Sequence, residues 1–208
     1  MKLSTDSAAP DPAAIERAAD LLRAGRIVAG PTDTLYGLFG DPHQAAAIDA
    51  IYSIKGRQEG QPLPLVACSR AQVESLAGPL GGATALLASR FWPGPLTLLV
   101  AAWPGLDARV HGGTGVAAVR VPDHVVARAL AEAAGFPLVA TSANLAGEPA
   151  VADAAAIDRE VAERVSLVLD AGPTPGGLPS TIVDARGSVP VLLRPGAIAW
   201  TRVLESLQ

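Results

Sequence analysis

The sequence predicts one α/β domain built on a mixed sheet, and three observations lead there. Short apolar runs of strand length alternate with amphipathic stretches of helix length. Some strands follow one another too closely for a helix to intervene, so the sheet needs antiparallel as well as parallel neighbours and is no regular βαβ array. No linker or internal repeat divides the 208 residues, of which 50% are hydrophobic and 17% charged, enough for a sizeable core.

Taken in order, residues 1–11 carry no apolar periodicity and are expected to form a mobile tail ahead of a domain over 12–208. Asp11 and Pro12 open the first helix, the carboxylate accepting an orphan amide and the proline sitting where an N–H is not needed. Ile15, Ala18, Ala19 and Leu22 form its stripe, and Gly25 ends it. A strand over 27–29 delivers the turn 30–37, and a helix is predicted over 43–54, with Ile48, Ile51 and Tyr52 inward. Residues 63–68 read as a buried strand that places Cys68 in the core. Ser69 caps the next helix, with Gln72 at the capping-box position. Gly81 and Gly82 precede a helix ending near Phe91, and Pro93 and Pro95 then forbid one.

Residues 96–102 form the clearest buried strand. A glycine loop, 112–115, leads to a strand over 116–121 carrying Arg120, and Asp123 is expected to cap a helix through Ala134. A strand over 136–140 runs into Thr141-Ser142-Ala143-Asn144. Residues 152–165 are predicted helical and 166–170 a strand. The Gly/Pro-dense loop 172–179 is a candidate lid. Strands over 180–184 and 189–193 and a helix over 197–207 complete the chain.

Composition narrows function. A net charge of −4 argues against a general nucleic-acid coat protein. The single cysteine, Cys68, excludes an internal disulfide and suits a reducing compartment. The first residues contain no apolar h-region, and the longest apolar run, 98–103, is too short to cross a bilayer. The expectation is a soluble, cytoplasmic protein with no membrane partner. There is no G-x-x-x-x-G-K-[ST], no G-x-G-x-x-G after the first strand and no G-x-S-x-G. His43, His111 and His124 are scattered, so no metal is expected on protein side chains.

What remains is polar groups at strand ends and turns, where open α/β sheets bind ligands. Of only two lysines, Lys55 stands two residues from Arg57, as if an anion lay between them. Lys55, Arg57 and Arg194 could clamp a polyphosphate, and Arg120 could fork onto a carboxylate. The hydroxyls of Thr34, Ser142 and Ser180 suit a small amino-acid-like ligand. With no evident nucleophile, such a site fits phosphoryl or nucleotidyl transfer by positioning and charge neutralisation.

Seven motifs then occur in one order. They are Pro31-Thr32-Asp33-Thr34-Leu35-Tyr36-Gly37-Leu38, Lys55-x-Arg57, Trp92-Pro93-Gly94-Pro95-Leu96-Thr97, Val119-Arg120-Val121-Pro122, Ser142-Ala143-Asn144, Ser180-Thr181-Ile182-Val183-Asp184 and Leu193-Arg194-Pro195-Gly196. Together they resemble the YrdC/Sua5 family over nearly the whole chain. The resemblance implies a twisted mixed sheet flanked by helices with a concave basic cleft. It also implies synthesis of L-threonylcarbamoyladenylate from L-threonine, bicarbonate or CO2 and ATP, with Mg2+ on the nucleotide, no organic cofactor, and pyrophosphate released. The product would serve N6-threonylcarbamoyladenosine formation in tRNA through a downstream transferase complex, with tRNA itself a further candidate ligand. By matching positions, Thr34, Arg120, Ser142 and Ser180 fall to threonine, and Lys55, Arg57, Gln61, Asn144 and Arg194 to ATP. Lys55 and Arg57 are the implied catalytic cations. The chain departs from the family pattern at Gln61, Ala146 and Ala152. Two other readings are weighed against this one: a YrdC-like RNA- or nucleotide-binding module without the activity, and a carbamoyl-transfer domain of the hydrogenase-maturation type.

Overall fold

The computed structural model describes residues 1–56 and 60–208. Its first half contains β1 (Lys2–Ser4), α1 (Pro12–Arg23), β2 (Val28–Gly30), β3 (Gly37–Gly40), α2 (Ala45–Lys55), β4 (Leu65–Val66), α3 (Arg70–Ala77), α4 (Gly82–Phe91) and β5 (Leu96–Ala101). The second half contains β6 (Val116–Arg120), α5 (Val125–Ala134), β7 (Leu138–Ser142), α6 (Arg159–Arg164), β8 (Leu167–Asp170), β9 (Thr181–Asp184), β10 (Val191–Arg194) and α7 (Trp200–Glu205). The strands form one mixed sheet in the order β1-β8-β2-β3-β7-β4-β6-β5-β9-β10.

Period-two alternation buries both faces of this sheet. Val28, Phe39, Val66, Leu138 and Leu167 pack with Ile15, Ala18 and Leu22 of α1 and Val126, Leu130 and Ala131 of α5. Their sequence neighbours Ala29, Leu38, Leu65, Val139 and Val168 point the other way, onto Ile48, Ile51 and Tyr52 of α2. A third cluster joins Leu87 and Phe91 of α4 to Leu96, Leu98 and Val203. Among the described residues, no helix is long and apolar enough to cross a membrane.

The caps explain where helices begin and end. Asp11 accepts from the Ala13 amide at 3.0 Å, and Gly25 turns the chain away from α1 at φ +72°. Ser69 accepts from the Gln72 amide at 3.1 Å, while the Gln72 side chain accepts from the Cys68 amide at 2.9 Å, one residue earlier than a capping box would have it. Gly56 adopts φ +59° directly after Lys55, a left-handed cap that costs glycine nothing.

Several expectations are corrected. Residues 2–4 of the expected tail form the edge strand β1, pairing in parallel with β8, and Lys2 reaches Asp170 at 2.7 Å. Strand β3, of which only Gly37 belonged to the turn read over 30–37 and the rest to no expected element, pairs antiparallel with both β2 and β7. Its four residues are bracketed by glycines and too short to show a period, so tertiary pairing decides it. Residues 152–165 are not one helix. Asp153 caps a 3-10 turn, Ala154–Ala156, and Asp158 separately caps α6, so two local caps break the stretch. The N-cap of α5 is His124; Asp123 accepts instead from Arg128 Nη1 at 3.3 Å. Cys68 lies beyond the two-residue strand β4 and is half-buried, its amide already given to the Gln72 side chain at the start of α3 and not to a neighbouring strand.

Candidate active site

Strand register gathers the site. Val66 of β4 lies beside Arg120 of β6, so both project from the same face. Thr97 of β5 pairs with Ile182 of β9, which pairs with Arg194 of β10, and Leu99 pairs with Ala118. Residues two apart along these strands therefore form one floor. Above it opens a cleft of about 670 Å3, within the range of small-molecule sites. Thr34, Lys55, Gln61, Arg120, Ser142, Asn144, Ser180 and Arg194 all line it. Arg57 lies outside the described residues.

The contacts join side chains that the sequence reading gave to different substrates. Lys55, at the last turn of α2 and buried, donates to the Ser142 carbonyl at 2.7 Å, the Asn144 carbonyl at 2.9 Å and Asn144 Oδ1 at 3.1 Å. Ser142 and Asn144, assigned to different substrates, thus share one cation. Asn144 Nδ2 donates in turn to the carbonyls of Leu145 and Glu148, which closes the loop after β7. Ala146 donates its amide to the Lys55 carbonyl at 2.8 Å, so that departure from the family pattern sits in the same knot. Gln61 offers its backbone carbonyl to the Tyr52 hydroxyl at 2.7 Å.

Arg194 and Ser180 also meet. The guanidinium donates to the Ser180 carbonyl at 2.8 Å and to its Oγ at 3.0 Å, and Ser180 Oγ lies 2.7 Å from Thr97 Oγ1. Thr34 and Thr32 hydroxyls are 3.1 Å apart. The Thr34 carbonyl accepts from the Gly176 amide at 2.8 Å and from Thr174 Oγ1 at 2.9 Å. Thr174 also bonds the Ala152 carbonyl, by its amide at 2.8 Å and its hydroxyl at 3.2 Å. The loop 172–179 is therefore pinned across the Thr34 turn, and Ala152 is one of the pins. At its base the buried Tyr36 hydroxyl donates to the Gly172 carbonyl at 2.7 Å; burial raises that phenol to about 12.

Arg120 Nη1 donates to Asp33 Oδ1 in a buried ion pair. Burial pulls the Arg120 pKa below the ordinary arginine value, with Asp33 opposing the shift. Asp33 was missed as a site residue, although an acid between two threonines in the hydroxyl-rich turn was a usable signal. Thr97 was missed too, revealed only by its partner Ser180. Beside this pair, burial also lowers the pKa of His124, again opposed by Asp33.

The Sua5/YciO/YrdC family model, described as telomere recombination, matches residues 20–196. A Bacillus subtilis protein named threonylcarbamoyl-AMP synthase is 40% identical over 200 residues, which cover 96% of this chain and 58% of that protein. A Pyrococcus abyssi protein of the same name is 37% identical over 184 residues, covering 88% and 54%. A Mycobacterium tuberculosis protein named putative threonylcarbamoyl-AMP synthase is 35% identical over 193 residues, covering 93% and 88%. Against the first two, the chain spans only somewhat more than half their length. Among solved structures, P. abyssi Sua5 complexed with L-threonine superimposes with a TM-score of 0.90 at 34% identity, covering all of this chain and 61% of that one. E. coli YciO gives 0.85 at 24% identity, a likeness of fold, covering 96% and 97%.

Proposed function

The chain belongs to the Sua5/YciO/YrdC family, and on that premise we propose that it is a threonylcarbamoyl-AMP synthase. It would join L-threonine, CO2 or bicarbonate and ATP, and release pyrophosphate. The observation that carries this reading is the lining of the cleft. Arg120, Lys55 and Arg194 stand among hydroxyls, and no carboxylate lines it among the described residues. Two anionic reactants brought together repel strongly unless cations offset them.

The uncharged amine of threonine adds to CO2, an N–C bond forms, and the proton passes to solvent, leaving a carbamate. A carbamate oxygen attacks the α-phosphorus, the bond from phosphorus to the bridging oxygen breaks, and pyrophosphate takes the electron pair. Arg120 would hold the threonine carboxylate, with Thr34, Ser142 and Ser180 supplying hydroxyls. Arg194, Asn144, Gln61 and Arg57 would hold the nucleotide. Lys55 is engaged with the loop after β7, so it acts on the phosphates chiefly through its charge. Catalysis is then positioning and charge neutralisation, with no protein nucleophile.

The described residues include no cluster of three His, Cys, Asp or Glu that could hold a metal, and the lining does not fit a resident Mg2+. Mg2+ would arrive as the counter-ion of the nucleotide. The adenylate would serve tRNA threonylcarbamoylation through a separate transferase complex in the cytoplasm, where ATP and tRNA meet.

The test is purified protein with ATP, bicarbonate and L-threonine, read by pyrophosphate release. Release that appears only with threonine is the expected result. ATP turnover or binding indifferent to threonine would instead favour a nucleotide-binding module.

A further inference from the structure

We propose that Asp33 is a positioning residue: it grips one edge of the Arg120 guanidinium and so keeps the other edge turned to the cleft for an amino-acid carboxylate. The inference rests on the reading of Arg120 given above and adds the residue that aims it.

Four observations carry it. Both side chains are buried, at 9% and 7% exposure, and such a pair contributes little net stability compared with apolar residues of the same size. A pair serving stability alone would be expected to close as a two-bond fork. Here a single bond joins Nη1 to Oδ1, and Asp33 Oδ2 is buried with no partner. No other described residue hydrogen-bonds the guanidinium, while Arg120 lines the cleft, so its unused donors lie on the ligand side.

Both supports are rigid. Thr32 Oγ1 accepts from the amides of Thr34 and Leu35, each at 3.2 Å, and donates to the Leu35 carbonyl at 2.7 Å, which fixes Asp33 between them. On the other side, the Arg120 carbonyl accepts from the Ala67 amide at 2.8 Å at the end of β6. One turn thus sets both Thr34, through its backbone, and Arg120, through Asp33.

The experiment compares Asp33→Ala, Asp33→Asn and Asp33→Glu with the wild type, measuring kcat and the KM for L-threonine and for ATP, with thermal unfolding as the check on folding. Asp33→Ala should raise the threonine KM at least roughly tenfold, with the ATP KM within about twofold. Asp33→Asn keeps an acceptor for Nη1 and should restore the threonine KM to within about threefold of wild type. A merely structural role would lower the folded fraction and leave both KM values of the folded enzyme alike. If the alanine variant does not fold, Asp33→Glu, which displaces the acceptor by one methylene, should show the same selective rise. A folded Ala or Glu variant with an unchanged threonine KM, or with threonine and ATP affected equally, overturns the proposal. Calorimetric titration of the wild type with L-threonine separates the two ideas. If the wild type neither binds nor uses threonine, the functional reading fails and this inference with it; if it binds and the variants bind alike, only the role of Asp33 fails.

Discussion

Lys55 illustrates how a residue picked for chemistry can also be a structural bolt. Its pairing with Arg57 in sequence pointed to an anion, yet its ammonium is held by the Ser142 carbonyl and by the carbonyl and Oδ1 of Asn144. Removing it strips a charged donor from buried oxygens. Lys55→Ala should therefore abolish turnover and also lower the unfolding free energy by about 3 kcal/mol, measured by urea denaturation. A variant that loses activity at full stability would return Lys55 to the phosphates alone. The sharing of the Lys55 ammonium by Ser142 and Asn144 was not legible in the sequence: spacing shows that they stand two residues apart at the end of β7, not that they share a cation. The partner of Asp33 was hidden for a similar reason, since Arg120 lies 87 residues away and only the fold brings the two together.

At the scale of elements, the loop 172–179 was read as a candidate lid from its glycines and prolines, and composition says nothing of where such a loop docks. It is tied down by Thr174 and Gly176 on the Thr34 carbonyl, and by Thr174 on Ala152. Thr174→Val keeps the shape and removes the hydroxyl. The expected outcome is faster amide hydrogen exchange at Thr174 and Gly176, by roughly fivefold for a loss of about 1 kcal/mol, with global stability nearly unchanged. Unchanged exchange there would mean that the amide bonds alone hold the loop. The helices teach the complementary lesson. α1 was legible nearly to its ends, because Asp11, Pro12 and Gly25 act locally. α6 was not, because the caps at Asp153 and Asp158 each have the signature of a helix start and their competition is settled by packing.

At the scale of the whole molecule, the first residues form one edge of the sheet. β1 adds a parallel edge to β8, and Lys2 reaches Asp170, a residue at the foot of the loop 172–179 that also lies 3.4 Å from the Tyr36 hydroxyl. The Lys2 ion pair is the largest cause holding the Asp170 carboxyl below its ordinary value. A carboxyl depressed in the folded state contributes stability above its unfolded pKa and loses it as pH falls through the folded one. Lys2→Ala should thus destabilise by less than about 1 kcal/mol at neutral pH, since the Lys2 ammonium is half exposed and water screens the pair. The difference from wild type should vanish once pH drops well below about 4, as followed by thermal unfolding across pH. A difference that persists in acid would assign the effect to strand packing. The α/β class, a mixed sheet, most helices and the set of polar residues at strand ends were determined by the sequence itself, because periodicity, caps and turn residues act over a few positions. The pairing of β1 and β3, the knot around Lys55 and the grip of Asp33 on Arg120 were decided by the tertiary structure alone. Each joins groups distant along the chain, and only the strand register of one sheet fixes which of them face each other.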